Sequence, residues 1–452
     1  MKINKISKKL IKPHTPTPPN LKNYNISFLD KNLGAMNIAV VLFYQSKPEN
    51  INSQLEESLA KILVQFYLLA GRYMKNDHLI DCSDQGVEFV VAEALDDEDG
   101  VELTELVAKT TDAEQINGLL PDQYFRVDEA SHDPLMSIQA THFPCGGLAI
   151  AVSISHRVFD VSSLGTFIAA WSNACNPDNN KMVEFTTPSF ELPLLLPYKD
   201  HDFGIHLNKS STDDHDHDDD DKNNNNNENI VVKRLLFNKA ALTSLKSKIR
   251  PKNGKTVSGV RVVCAVIAKA LIRVDRAKHG RNRDMMIFQP VNMRERTIPP
   301  QSKHACGNLS LASLTRRVAA SEAGELGVEE LVDLIGDAVR KSIGDHAEIL
   351  SATATRDGRD IIANSLEMLI KVFMNPEMNV VVFTDWSRFG FYEADFGWGK
   401  PLWVSIGPQR PSGNSTVLMS NKDGDGIEAW LHLNQTDMHC FYQDEEIKLF
   451  TT

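Results

Sequence analysis

The sequence lacks a hydrophobic run long enough to cross a membrane. Apolar stretches such as residues 148–152 are far shorter than the roughly 20 residues that a membrane-spanning helix needs. The chain also contains neither a Gly-x-Gly-x-x-Gly motif nor a P-loop, which disfavours nicotinamide and nucleoside-triphosphate chemistry. We therefore expect no membrane partner and no bound nucleotide of these two kinds.

Cysteines are few and widely spaced. There are six, without a Cys-x-x-Cys pair: Cys82, Cys145, Cys175, Cys264, Cys306 and Cys440. This pattern favours free thiols in a reducing cytosol. Residues 1–12 contain lysines but no arginine, and Pro13 and Pro16 would break a helix there, so the segment does not read as a transit peptide. With no apolar signal-peptide core either, we expect a cytoplasmic location.

Basic residues are outnumbered by acidic ones, and the formal net charge of −12 argues against nucleic acid as a partner. An anionic co-substrate would therefore need a local basic patch. Much of the negative charge lies in residues 210–230, an acidic, asparagine-rich run that cannot bury apolar surface and is predicted to be a loop or linker. Residues 213–217 could hold a divalent cation only loosely, because a flexible run lacks the fixed geometry of a metal site. We expect no metal.

Hydrophobic periodicity predicts a mixture of helices and strands. A short apolar run after Gly146-Gly147 predicts a strand over residues 148–155. Helical spacing follows, with Ser162 or Ser163 as the expected N-cap. Helical spacing also occurs in residues 54–70, 260–271 and 331–339. Because the elements alternate irregularly and no repeat is present, we predict two α+β units rather than a doubly wound sheet.

His156 is the strongest catalytic candidate. It follows the predicted strand directly, and a neutral imidazole is the suitable general base near pH 7. The alternative is a purely structural role, as a hydrogen-bonded histidine in the core. A hydrolase with Ser155 or Cys145 as nucleophile is disfavoured because no Gly-x-Ser-x-Gly elbow surrounds the serine. In a helix, Asp160 would lie on the same face as His156. Because His156 is predicted to end a strand, the helical spacing does not apply to this pair.

Several motifs occur together in one order along the chain. The first is His-x-x-x-Asp in residues 156–160, and another is Asp-Phe-Gly-Trp-Gly in residues 395–399. Further matches lie in residues 66–72, 291–296, 307–308 and 424–430. In this combination the chain resembles the plant BAHD acyltransferases, and it looks most like the alkaloid-acetylating branch that includes vinorine synthase. The matches run from about residue 12 to about residue 431.

The resemblance implies a chloramphenicol acetyltransferase-like α+β fold. We expect two similar-sized lobes with mixed sheets and flanking helices, joined by a long crossover loop, with the active-site channel between them. On this basis we predict an N-terminal lobe at residues 1–196, the acidic crossover at 197–230 and a C-terminal lobe at 231–452.

The implied activity is transfer of an acyl group from coenzyme A to a hydroxyl. By analogy with the branch, we expect acetyl-CoA as co-substrate and an alkaloid, terpenoid or similar small molecule as acceptor. The enzyme would be a monomer without a permanently bound cofactor. Two alternatives remain: N-acyl, aromatic or branched acyl transfer within the same family, and a catalytically silent relative that binds a small molecule.

The resemblance also assigns roles to individual residues. His156 and Asp160 form the catalytic motif, with His156 as base and Asp160 in a structural role, turned from the cavity and paired with Arg294. The loop carrying Asp395, Gly397 and Gly399 is expected to be structural, since two glycines around an aromatic residue are typical of a tight turn.

Two groups of binding residues complete the expectations. Thr384 and Trp386 are assigned to the substrate channel, although the family has a small residue where this chain has Asp385. Phosphates favour helix N-termini and basic side chains, so Lys255, Ser258 and Arg388 are predicted to bind coenzyme A.

Overall fold

The structure is a computed structural model, and it describes residues 1–33, 36–95, 103–110, 113–122, 132–176, 187–197, 230–249, 256–347, 356–407 and 414–451. Most of the acidic run, residues 210–229, lies outside the described residues, as does Lys255. Only Ile230 of that run is described, and it begins a strand.

The strands are β1 (Lys2–Ile11), β2 (Asn23–Asn25), β3 (Asn37–Tyr44), β4 (Arg72–Met74), β5 (Leu79–Asp81), β6 (Val87–Leu95), β7 (Met136–His142), β8 (Leu148–Ser155), β9 (Ile230–Phe237), β10 (Asp284–Asn292), β11 (Ser310–Leu314), β12 (Met378–Asp385), β13 (Trp403–Ile406), β14 (Ser415–Ser420) and β15 (Ile427–Asn434). The helices are α1 (Phe28–Asn32), α2 (Ile51–Ile62), α3 (Leu103–Lys109), α4 (Val161–Cys175), α5 (Leu192–Leu195), α6 (Lys239–Lys248), α7 (Gly259–His279), α8 (Ala320–Ala323), α9 (Val328–His346), α10 (Arg356–Phe373), α11 (Gln435–Tyr442) and α12 (Glu445–Phe450).

Two mixed sheets organise the described residues. The first has the order β1-β6-β7-β8-β3-β13 and the second the order β11-β10-β12-β14-β15-β9. In each sheet parallel pairs occur beside antiparallel ones: β6 and β7 are parallel in the first, and β12 is parallel to both β10 and β14 in the second. β2, β5 and β4 form a third, three-stranded sheet. The predicted α+β class with mixed sheets and flanking helices is confirmed.

Two large hydrophobic cores occur, and the first contains side chains of both sheets, including Val417 and Trp430 of the second. Every residue of β3 and of β8 is buried, which explains why both sequences are nearly continuous apolar runs. The second core is built around α7, whose buried face packs with β12, β15 and α9. Strand β13 comes from the C-terminal half of the chain but joins the first sheet, where Trp403 pairs with Phe43. The domain limits expected at residues 197–230 therefore remain a prediction.

Most predicted elements are present, with one clear difference. Strand β8 has the expected bounds, and α7 and α9 extend the expected helices at both ends. The helix expected over residues 54–70 is wrong in its second half, because α2 ends at Ile62 and a 3₁₀ turn follows over Tyr67–Ala70. Here Phe66 packs edge-on against Phe167 in the core. The consecutive residues 68–70 are all buried, whereas a continuing amphipathic helix would bury only the residues on one of its faces.

The helices of the described ranges include none long and apolar enough to span a membrane.

Candidate active site

His156 is fixed by the strand that precedes it. Ser155, the last residue of β8, pairs with Asn37 of β3. Immediately beyond the strand, the backbone N–H of His156 donates to the carbonyl of Met36 at 2.8 Å. The backbone at the histidine is therefore held by its neighbouring strand while the partly buried side chain leaves the sheet.

Asn308 determines which nitrogen of His156 carries the proton. The Asn308 Nδ2 group donates to the His156 carbonyl at 2.8 Å and to the Asp30 carboxylate at 2.7 Å. Both partners accept, so the amide must present its oxygen to the histidine ring, and Oδ1 lies 3.0 Å from Nδ1. Nδ1 is then the protonated nitrogen of the neutral ring, and Nε2 keeps its lone pair.

The pKa of His156 is suited to this state. Burial lowers it below the ordinary histidine value, and this effect outweighs the hydrogen bonds and the Asp160 charge that favour the imidazolium. The ring is therefore neutral at pH 7. A neutral imidazole with a free Nε2 can remove a proton from a hydroxyl group.

Asp160 is paired with Arg294. The guanidinium donates to both carboxylate oxygens, with distances of 2.8 Å from Nη1 to Oδ2 and 3.0 Å from Nη2 to Oδ1. Burial acts to raise the pKa of Asp160, but the charge and hydrogen bonds of Arg294, together with those from Ser163, outweigh it and lower the pKa. Asp160 is thus a buried, ionised anchor whose bonds are directed at the arginine.

Asp160 is also the N-cap of α4, where Ser162 or Ser163 had been expected. Its backbone is extended and its carboxylate accepts from the Ser163 N–H at 2.9 Å. The expected caps are therefore wrong by two or three residues. The Ser163 hydroxyl instead bonds the carboxylate at 2.8 Å and the Gly307 carbonyl at 3.0 Å.

Arg294 connects this motif to the segment that carries Asn308. Besides Asp160, its guanidinium donates to the carbonyls of Ala305 at 2.7 Å and Gly307 at 2.9 Å. The Asp160 carboxylate in turn accepts from the Leu309 N–H at 3.2 Å. These contacts hold the His156 loop and Asn308 in a fixed relation.

A cavity of about 560 Å³ lies beside the buried Arg294, which forms part of its wall. Its walls include the first turns of α4 and α7 and the loop after β12. Besides Arg294, two acidic residues line it, Glu295 and Asp385. Four further basic residues line it as well: Arg261, Arg296, Lys303 and Arg388. Burial and the nearby Arg388 charge lower the pKa of the Arg296 guanidinium, as expected where cations are crowded. The cavity is therefore suited to a ligand with several negative charges.

The predicted coenzyme A residues lie at this cavity where they are described. Ser258 caps α7, accepting from the Arg261 N–H at 3.3 Å, and it lines the cavity, as does Arg388. Lys255 belongs to the undescribed part of the chain. The long α7 directs the positive end of its dipole toward the cavity, adding to the basic side chains.

Thr384 and Trp386 are bonded to each other. The Trp386 indole N–H donates to the Thr384 hydroxyl at 3.2 Å, and the ring is buried in the first core. Asp385 between them lines the basic cavity, and its carboxylate accepts from the Ser387 N–H at 2.9 Å. The channel role of Thr384 and Trp386 stays a prediction.

In the loop of residues 395–399, the Asp395 carboxylate accepts hydrogen bonds from the backbone of the loop itself. Asp395 Oδ1 accepts from the N–H groups of Gly397 at 2.8 Å and Gly399 at 3.0 Å. Both glycines have positive φ, at 110° and 105°, which only glycine adopts readily. Phe396 stacks on Trp398 with ring centroids 5.4 Å apart. This geometry agrees with the structural role proposed for the loop.

Sequence reasoning missed three residues. Asn308 lies in the match at residues 307–308, which assigns it no role, and the sequence analysis assigns none to Asp30. His432 gave no local signal. It is 1% exposed on β15, and burial lowers its pKa to about 4. Within the described residues neither ring nitrogen has a partner at full hydrogen-bond geometry, although backbone groups of Ser415 and Trp430 lie close enough to oppose the shift in part.

The chain is similar to characterised acyltransferases over its whole length. Residues 1–448 match the model of a family described as the Transferase family. The chain is 55% identical over 450 residues, covering 100% of both sequences, to pelargonidin 3-O-(6-caffeoylglucoside) 5-O-(6-O-malonylglucoside) 4'''-malonyltransferase of Salvia splendens. It is 31% identical to vinorine synthase of Rauvolfia serpentina, over 96% of this chain and 95% of the relative.

Solved structures give the same result. The crystal structure of vinorine synthase matches with a TM-score of 0.76 at 30% identity, covering 100% of this chain and 98% of the other. The F. sporotrichioides protein TRI101, complexed with coenzyme A and T-2, has the same fold, with a TM-score of 0.72 at 19% identity over 95% of this chain and 99% of that one. The chain therefore belongs to the Transferase family, the BAHD acyl-CoA-dependent acyltransferases that its motifs resemble.

Proposed function

We propose that this acyltransferase moves a malonyl group from malonyl-CoA to a sugar hydroxyl of a glycosylated flavonoid pigment, with His156 as general base. The observation that carries the choice of substrates is the 55% identity, over the full length of both chains, to a malonyltransferase acting on a pelargonidin glucoside. The expectation from motifs alone was acetyl transfer to an alkaloid or terpenoid.

In the proposed mechanism the acceptor hydroxyl donates its proton to Nε2 of His156 as its oxygen attacks the thioester carbonyl. The tetrahedral intermediate then collapses, the carbon–sulfur bond breaks, and the coenzyme A thiolate leaves. The imidazolium returns its proton to the thiolate or to water. The contact between Nδ1 and Asn308 Oδ1, at 3.0 Å, supports this direction of transfer because it leaves Nε2 unprotonated in the neutral ring.

The basic cavity supports a coenzyme A thioester as donor. Arg261, Arg296, Lys303 and Arg388 could neutralise its phosphates, and the N-terminus of α7 adds backbone N–H groups. Ser258 is the proposed contact at that terminus. We further propose a cytoplasmic monomer that needs no permanently bound cofactor and no metal. Within the described residues no cluster of three or more potential metal ligands occurs.

Acetyl transfer to a hydroxyl is the second candidate. It is favoured by two relatives that are each 31% identical to the chain, vinorine synthase and the stemmadenine O-acetyltransferase of Catharanthus roseus. A competition assay separates the candidates. Purified protein is given equal concentrations of malonyl-CoA and acetyl-CoA with a malonylated pelargonidin glucoside, and in parallel with an alkaloid alcohol.

Mass spectrometry of the products identifies the transferred group. We expect the malonyl ester of the pigment to dominate. Preferential acetylation, or turnover of the alkaloid alone, would replace the malonyl proposal by the acetyl one. A matched reaction with His156→Ala measures the rate without the enzyme's base.

A further inference from the structure

Asp30 is a buried carboxylate next to the residue that contacts His156. It is 1% exposed and lies in the short α1. One oxygen, Oδ1, accepts from both nitrogens of Asn308, the backbone N at 3.0 Å and the side-chain Nδ2 at 2.7 Å. The other oxygen accepts from the Ser27 N–H at 3.0 Å. All three donors are amide groups.

Asp30 differs in this respect from Asp160. Asp160 has the Arg294 guanidinium at hydrogen-bonding distance, whereas in the described part of the chain the Asp30 carboxylate meets only the neutral amide groups of Ser27 and Asn308. Burial therefore raises the pKa of Asp30 to about 6, with the hydrogen bonds from Ser27 and Asn308 opposing it. A carboxylate without a cation is costly to bury, so its retention at this position calls for an explanation.

The geometry of Asn308 explains why a carboxylate is buried at position 30. Its Nδ2 group is held between two acceptors, the Asp30 carboxylate and the His156 carbonyl. If the amide flipped, its oxygen would face both acceptors, and its nitrogen would face Nδ1 of His156. Without Asp30 only the His156 carbonyl would oppose that flip, and the ring would be free to take the tautomer with the proton on Nε2.

We propose that Asp30 is a positioning residue for the general base: it holds the Asn308 amide so that His156 keeps its proton on Nδ1 and its lone pair on Nε2. When His156 accepts a proton from the acceptor hydroxyl, the Asp30 carboxylate also offers a negative charge two hydrogen bonds away from the imidazolium. The proposal rests on the role of His156 as base.

Other titratable groups lie around Asp30 and must be considered in any pH profile. Tyr24 is close enough for the Asp30 charge to add to burial in raising its pKa. The Cys306 thiol lies near the Asp160–Arg294 pair, and burial raises its pKa. Both remain protonated between pH 5 and 8, and Asp160 remains ionised, so of these three neighbours and Asp30 only Asp30, with its pKa of about 6, is expected to titrate there. The pKa of His156 lies below its ordinary value because of burial.

The test compares Asp30→Asn with Ser27→Ala. The Ser27 hydroxyl accepts from the Asp30 N–H in the capping box of α1, so the control weakens the same local structure without touching the carboxylate–Asn308 contact. For Asp30→Asn we expect kcat to fall about tenfold to a hundredfold, part of the 10²–10⁴ typical of a general base, with KM changed by less than about threefold. Ser27→Ala should lower the melting temperature and leave kcat in place at pH 8, while the acid limb moves to higher pH because a side-chain hydrogen bond that lowers the pKa of Asp30 is lost.

The pH profile distinguishes positioning from a structural role. In the wild type the rate should fall as Asp30 becomes protonated near pH 6, whereas in Asp30→Asn that titration is absent and the acid limb moves to lower pH. A double-mutant cycle adds a second criterion. In an Asn308→Ala background, Asp30→Asn should cause little further loss of kcat.

A spectroscopic arm needs neither a known acceptor nor an Asp30 variant. In wild-type protein labelled with ¹⁵N-histidine, with His156 assigned by difference from His156→Gln, we expect Nδ1 protonated and Nε2 unprotonated at pH 7.5. The ¹⁵N signals of His156 should also change near pH 6, because the Asp30 carboxylate becomes protonated there. A wild-type ring with its proton on Nε2 would overturn the proposal, as would an Asp30→Asn variant with unchanged kcat and acid limb. An inactive wild type showing the expected tautomer would count against the proposed substrates and not against Asp30.

Discussion

Arg294 and Asp160 form a bidentate ion pair, although they lie 134 residues apart in the sequence. Asp160 follows His156 by four residues, and Arg294 holds the carbonyls of Ala305 and Gly307 beside Asn308. The pair therefore joins the loop of the base to the segment that sets the tautomer of the base. Its effect on catalysis is expected to be indirect, through the positions of His156 and Asn308.

Replacing Asp160 by Ala should destabilise the protein as well as reduce activity. The change leaves the buried Arg294 guanidinium without its counter-charge, which typically costs about 3–5 kcal/mol of the free energy of unfolding. Chemical denaturation measures this loss. The matched control is Arg316→Ala, which removes an exposed ion pair with Glu322 and should cost less than about 1 kcal/mol. An Asp160→Ala protein as stable as the control would contradict the anchoring role.

Loss of a basic residue from the cavity should weaken donor binding. For Arg388→Ala and Arg296→Ala we expect KM for acyl-CoA to rise about tenfold, with a smaller change in kcat, because the side chains would contact phosphates and not the reacting atoms. The increase should be smaller at high salt, where surface charges are screened. Arg281→Ala, which disrupts an exposed pair with Glu377 elsewhere, is the control. Unchanged KM in both cavity variants would move the coenzyme A site away from this cavity.

His432 should make stability depend on acidity. Its pKa of about 4 in the folded chain lies below the unfolded value of roughly 6.5, so the unfolded chain binds more protons between these values. The free energy of unfolding contributed by His432 is complete above about pH 6.5 and falls as the pH decreases toward 4, by roughly 2 kcal/mol at pH 5.

The variant His432→Leu should therefore lose less stability than the wild type between pH 7.5 and pH 5. Melting curves at the two pH values measure the difference, and exposed His439→Gln is the control. If the wild type and His432→Leu lose equal stability, the buried ring is not the source of the acid sensitivity.

Deleting residues 213–227 should leave activity largely unchanged. Their composition cannot support packing, and loop length affects stability only weakly. The assay is run with and without a chelator for both the full chain and the deletion. Inhibition of the full chain by chelator, reversed by a divalent ion, would assign the acidic run a metal-binding role.

The sequence was sufficient for local features around His156. An unbroken apolar run ending at Ser155 predicted both β8 and the position of the histidine, because burial on both faces leaves a clear hydrophobic signal. The cap of α4 was less predictable. Asp160, Ser162 and Ser163 can all cap a helix, and the choice depends on Arg294, which no local pattern reveals.

The partners of His156 could not be derived from periodicity. Asn308 lies 152 residues from the histidine, and Asp30 lies 278 residues from Asn308, so only the tertiary fold brings them together. The same limit applies to helix 54–70. Its apolar spacing was correct through Ile62, but the aromatic packing of Phe66 against Phe159 and Phe167 belongs to the folded core and ends the helix early.

The central claim is that His156 removes the proton from the acceptor hydroxyl. The most direct measurement is the pH dependence of kcat/KM for acyl transfer from malonyl-CoA or acetyl-CoA, in wild type and His156→Ala, with circular dichroism to verify folding. Burial lowers the pKa of His156, so the wild-type rate should rise with pH along a limb below about pH 6.5 and then level off. His156→Ala should be folded, at least about a hundredfold slower, and without that limb. A folded His156→Ala protein with near-normal turnover would contradict the account.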